Sequence, residues 1–97
     1  MALKIVWTPQ AERGLENVIE YLEEEWTVKE IHNLEQNLQD FLIRISKYPK
    51  IYPETANYKN LHKGLVDKNN YIIYRIQPQK GQIEIINFRG TRQEPIE

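Results

Sequence analysis

The chain contains no cysteine, which removes disulfides, thiolate nucleophiles and cysteine-type zinc sites in one step. Its two histidines, His32 and His62, lie far apart with no carboxylate at ligand spacing, so no metal and no other cofactor is expected. No apolar run approaches the roughly 20 residues of a membrane span. Met1-Ala2-Leu3-Lys4 leads straight into a strand-like segment without a signal-peptide pattern. The expected location is cytoplasmic, with no membrane partner. There is also no internal repeat, low-complexity stretch or linker, and 97 residues fit one domain over 1–97 with a single core.

What is present is divided unevenly. Residues 1–55 hold ten acidic and six basic side chains, and residues 56–97 hold four acidic and seven basic ones. A net charge of −1 therefore conceals a basic second half. The excess is too small to coat nucleic acid by charge alone and fits a focused site for a few phosphates or an acidic partner.

Leu3-Lys4-Ile5-Val6-Trp7 is β-prone, with Leu3, Ile5 and Trp7 on one side. Thr8-Pro9 reads as an N-cap and first helical residue. Ala11, Leu15, Val18, Ile19, Leu22 and Trp26 follow at helical spacing, interrupted by Gly14, which costs about 1 kcal/mol unless another element comes close there. Thr27-Val28-Lys29-Glu30 has capping-box spacing. It opens a second amphipathic helix through Ile31, Leu34, Leu38, Phe41, Leu42 and Ile45, ending before Tyr48-Pro49. So short a connection predicts an antiparallel helical hairpin. Its acidic outer face reads as solvated surface.

A proline-containing crossing loop follows. Residues 58–66 then read as a strand whose apolar positions are Leu61 and Leu65, with Lys59, His62 and Lys63 among the polar ones. Asp67-Lys68-Asn69-Asn70 is a turn by composition, asparagine tolerating left-handed φ. Runs 71–77 and 82–89, parted by Pro78-Gln79-Lys80-Gly81, predict a β-hairpin. Period two places Ile72, Tyr74 and Ile76 on one face and Tyr71, Ile73 and Arg75 on the other. In the last strand Ile83 and Ile85 alternate against Ile86 and Phe88, so pattern alone leaves either pair inward. The whole predicts an α+β domain of order β-α-α-β-β-β, with the antiparallel helical hairpin packed on one face of an antiparallel sheet. The open face would carry Tyr71, Arg75 and residues at the strand ends.

Arg89 and Arg92 flank Gly90, where backbone can approach a ligand closely, and together favour contact with phosphate or carboxylate. Arg75, projecting from mid-strand, is divided between pairing with Glu84 across the hairpin and binding a target.

In size, element order, the proline-containing loop, Tyr71-Ile72-Ile73-Tyr74-Arg75-Ile76, and the closing Ile85-Ile86-Asn87-Phe88-Arg89-Gly90-Thr91-Arg92-Gln93-Glu94-Pro95, the chain resembles toxins of the RelE/ParE superfamily of bacterial type II toxin–antitoxin systems. The resemblance implies a small toxin neutralised by a cognate antitoxin. It offers two modes of action: RelE-like cleavage of mRNA in the ribosome, or ParE-like poisoning of DNA gyrase. Arg92 matches the C-terminal arginine of the ribonuclease branch. Tyr71 stands where a basic residue is frequent, and Gln93-Glu94-Pro95-Ile96-Glu97 supplies no aromatic or histidine, which favours the gyrase branch. A relative that only binds antitoxin is the third reading.

Metal-free RNA cleavage requires a base for the 2′-hydroxyl, an acid for the leaving oxygen and a cation for the phosphate. Arginine serves only the last. His62, Lys59, Lys63 and Tyr71 are the candidates for proton transfer. Against each stands a plainer role: a surface imidazole on an exposed strand for His62, edge charges that discourage aggregation for Lys59 and Lys63, and packing under a loop for Tyr71.

Overall fold

The computed structural model describes residues 2–25, 28–56 and 60–90. Strand β1 (Lys4–Trp7) is followed by helices α1 (Pro9–Glu25) and α2 (Val28–Lys47), then strands β2 (Leu61–Asp67), β3 (Asn70–Gln77) and β4 (Gln82–Gly90). The expected β-α-α-β-β-β order holds. Thr8 caps α1 as its chemistry requires, its hydroxyl accepting from the Ala11 N–H at 3.2 Å and donating to the Ile85 carbonyl at 2.8 Å. Thr27, and with it the capping box, lies outside the described residues, as do Trp26, Tyr58, Lys59 and Arg92.

The four strands lie in the order β1-β4-β3-β2. The sheet is mixed, which corrects the wholly antiparallel expectation: β1 runs parallel to β4, Lys4 opposite Gln82 and Trp7 opposite Ile85. The reason is directional. Two helices return the chain to the end where β1 began, the Leu3 N–H reaching the Ser46 carbonyl at 3.0 Å. Strand β2 therefore starts at that same end, β3 reverses, and β4 runs with β1.

The question of which face of β4 is inward is settled by a bulge. Ile73 lies opposite Asn87 and Tyr74 opposite Ile85, leaving Ile86 as an extra residue. One added residue inverts the alternation. Ile83 and Ile85 before it and Phe88 after it are consequently all buried, beside Ile72 and Tyr74 of β3. Helix α1 lies directly on this strand. A Cβ on Gly14 would collide with the Phe88 carbonyl oxygen, so the glycine is the price of that approach. Ala11 and Val18 of α1 and Leu34, Phe41 and Ile45 of α2 complete the core, with Leu15, Ile19, Leu22, Leu38 and Leu42 packed around it.

The turns follow local chemistry. Gly81 closes the β3–β4 connection at φ 64°. Between β2 and β3 the Asp67 carboxylate does the work expected of left-handed asparagines, accepting from the Asn69 N–H at 2.7 Å and the Asn70 amide at 3.0 Å. Among the described residues Asn60 is the non-glycine with positive φ, 69°.

Candidate functional site: the open face of the sheet

Opposite the helices, strand register sets the side chains in rows. Leu61, Arg75, Glu84 and Val6 form one; Lys63, Ile73 and Asn87 the next; Leu65, Tyr71 and Arg89 the third. Three cations thus share one surface, each held by a strand rather than a loop. The Lys63 ammonium stands 4.3 Å from the centre of the Tyr71 ring, a cation–π contact that orients both. Tyr71 is itself buried. Arg75 faces Glu84 as the hairpin allowed, but at 4.0 Å between Nη1 and Oε1 and with about half its side chain exposed, the pair is loose. Arg75 retains donors for a ligand.

His62 is not with them. It is 7 % exposed and points to the helical side, which corrects the picture of an imidazole on an exposed strand. Its Nδ1 lies 2.8 Å from the Tyr52 carbonyl oxygen. A carbonyl only accepts, so Nδ1 carries the hydrogen. The ring stacks on Tyr74 with centroids 5.2 Å apart. Tyr74 continues the cluster edge-on to Phe41, on which Tyr52 stacks at 5.0 Å. Burial raises the Tyr74 phenol from 10.0 to about 12, and its hydroxyl donates to the Pro49 carbonyl at 2.7 Å.

The inversion of β2 has a local cause. Taking Leu61 and Leu65 as core positions put His62 outside, yet Leu65 is 56 % exposed on the open face. The inner positions are His62, Gly64 and Val66, and the space over Gly64 is filled by Tyr52 from the crossing loop: a Cβ there would sit 2.6 Å from the Tyr52 ring. A glycine in alternation with His and Val, downstream of a Tyr-Pro loop, was the available signal.

Two clefts lie away from the cationic face. One of about 530 Å³ runs between the helices and the β2–β3 turn, walled by Val18, Leu22 and Leu34 with Asn33, Asn37 and Asn70. The other, of about 630 Å³, is bordered by Lys50, Tyr52, Glu54, Asn60 and His62. Among the described residues no cluster of three or more His, Cys, Asp or Glu side chains is arranged to hold a metal. No described helix is long and apolar enough to cross a membrane.

A helical hairpin on one face of a small mixed sheet, with a cationic opposite face, defines a RelE-like α+β domain. Solved structures share it at low identity. The toxin–antitoxin complex RelBE2 from Mycobacterium tuberculosis is 12% identical over 96% of this chain and 95% of that one, with a TM-score of 0.67. An arginine double mutant of the Escherichia coli toxin RelE in the free state is 14% identical over 95% and 86%, at 0.64. The E. coli DinJ-YafQ toxin-antitoxin complex is 14% identical over 93% of each chain, at 0.58. No curated protein sequence matches the chain significantly. Residues 5–95 match the family described as ParE toxin of type II toxin-antitoxin system, parDE, and the chain belongs to that family.

Proposed function

We propose that the protein is a growth inhibitor that acts by binding a protein target, DNA gyrase, through the open face of its sheet, and that a cognate antitoxin silences it. The observation that carries this reading is the composition of that face. It gathers Lys63, Arg75 and Arg89 for contact with acidic groups, while the one histidine of the sheet is turned into the core. The carboxylate described there, Glu84, faces Arg75. Cations and a carboxylate already facing an arginine suit electrostatic recognition better than paired acid–base chemistry. Membership of the ParE family supports the same direction. The antitoxin follows from that membership and from relatives solved as toxin–antitoxin complexes.

The test is inhibition of purified gyrase in a supercoiling assay. Supercoiling that slows with added protein and recovers when Lys63 and Arg75 are changed to Glu supports the reading, whereas unaffected supercoiling removes it. A second reading, ribosome-dependent mRNA cleavage, draws on the fold shared with RelE and on Lys63, a cation on the open face able to meet a phosphate. Primer extension on ribosome-bound message decides it, cuts at defined codons being the positive result. Inactivity in both assays leaves a protein whose partner is the antitoxin alone.

A further inference from the structure

The sheet has two outer edges, and the chain treats them differently. Along β2 the crossing loop covers the first half: the Lys63 N–H donates to the Pro53 carbonyl at 3.2 Å and the Thr55 N–H to the Leu61 carbonyl at 2.7 Å. The second half is broken at Val66, the extra residue between Leu65 and Asp67. Cover and bulge are both devices that keep an edge from pairing. Edge β1 has no bulge and is covered at its start alone, where the Leu3 N–H donates to the Ser46 carbonyl at 3.0 Å. The Lys4 N–H donates to Gly81 and the Thr8 N–H to Ile85, at 3.0 and 3.2 Å, so the even-numbered residues turn their backbone groups toward β4. Those of Ile5 and Trp7 point outward. Among the described residues no hydrogen bond is made to them, and the strand is regular, free of proline and apolar from Ile5 to Trp7.

We propose that a second copy of this chain completes this edge, the two β1 strands running antiparallel about a two-fold axis at Val6. Ile5 then faces the partner's Trp7, and Trp7 the partner's Ile5. All four residues have outward N–H and C=O groups, so each pair exchanges both backbone hydrogen bonds. Val6 meets the partner's Val6 on the open face, and Lys4 meets the partner's Thr8, so no like charges oppose one another. Pro9 ends the ladder by starting α1.

That register also brings the first turn of α1 beside the partner's last turn of α2, which is tied to β1 through Ser46 and Leu3. The first turn carries Glu12, and the last turn carries Lys47 and Arg44. The helix ends themselves bear opposite partial charges. An unrelated extended peptide would satisfy the ladder alone. The reciprocal match of Glu12 with Lys47, made twice about the axis, is what selects a second copy. The product is a continuous sheet of both protomers with the two cationic faces on one side. It rests on the architecture and holds whichever target the toxin has. Short strands and two helix ends make a small interface, with a dissociation constant in the range of about 1–100 µM.

Sedimentation velocity on the full chain, from about 1 to 300 µM, tests it. The expected result is a monomer–dimer equilibrium that weakens with added salt. Val6→Lys sets two ammonium groups against each other across the axis while facing Glu84 within the protomer, and raises the dissociation constant about tenfold or more. Mixing Val6→Lys with Val6→Glu restores association as a heterodimer. Should Val6→Lys lose its circular dichroism, Lys47→Glu on the exposed end of α2 gives the same weakening through loss of Glu12. A chain that stays monomeric throughout, or a folded Val6→Lys or Lys47→Glu that dimerises as the parent does, overturns the proposal.

Discussion

Gly14 and Gly64 are both held to hydrogen by what lies over them, yet the two obstacles differ. Over Gly14 it is backbone, the Phe88 carbonyl of a central strand, which cannot swing away. Gly14→Ala gains about 1 kcal/mol of helix propensity and should still destabilise the domain by about 2 kcal/mol net, because α1 must lift from β4. Urea titration reads this, and an unchanged midpoint would show that the helix has room to shift. Over Gly64 it is the Tyr52 ring. Gly64→Ala should expel that ring from its stack on Phe41 and its hydrogen bond from Arg44, at a cost of about 1–3 kcal/mol. Amide exchange should quicken in the loop before it quickens in β3. Tyr74 gives a pH signature. Its phenol is raised from 10.0 to about 12 by burial, so below pH 10 both folded and unfolded states are neutral and stability is unaffected. Between pH 10 and 12 the unfolded phenol ionises while the folded one does not, and stability falls by up to about 2–3 kcal/mol. Denaturation midpoints should drop more steeply over that window in the parent than in Tyr74→Phe.

At the scale of elements, the bulge in β4 decides how the hairpin meets the helices. Its carbonyls are the ones Thr8 seizes: Oγ1 lies 2.8 Å from the Ile85 oxygen and 3.3 Å from that of Ile86. One hydroxyl therefore caps α1 and pins the bulge. Thr8→Val, nearly isosteric, should cost about 1–2 kcal/mol and loosen both elements together, read as joint loss of amide protection at Ala11 and in β4. Periodicity exposed the helices and the hairpin because each buries one regular stripe. It did not reveal the bulge, since Ile83, Ile85, Ile86 and Phe88 are all apolar and parity alone cannot choose among them. Nor did it orient β2, where the core is filled by a loop tyrosine over a glycine instead of by the strand's own leucines. His62 was misplaced for that reason. Arg75 and Tyr71 were legible because β3 alternates without interruption on both sides of its charge.

For the whole molecule, the allocation of faces limits where a target can be met. The helices and the crossing loop cover one side of the sheet, so a target bound through the open face would meet Lys63, Arg75 and Arg89 there. Those side chains stand on strands, and their geometry survives loss of charge. Lys63→Glu with Arg75→Glu should therefore shift stability by no more than about 1 kcal/mol, as surface changes do. Two charge-assisted contacts to a target are worth about 1.5–3 kcal/mol each, so the same double variant should weaken target binding by about 10²-fold or more and relieve growth inhibition on induction. Arg89→Ala with Arg92→Ala should act in the same direction. Glu12→Lys, on the helical side, serves as a matched control and should leave toxicity intact at expression levels where the chain is monomeric. Plating efficiency after induction, beside melting temperatures of the purified variants, separates the possibilities. Full toxicity from a stable Lys63→Glu, Arg75→Glu protein would move the target site off the open face of the sheet and make the cleft between the helices and the β2–β3 turn the next to test.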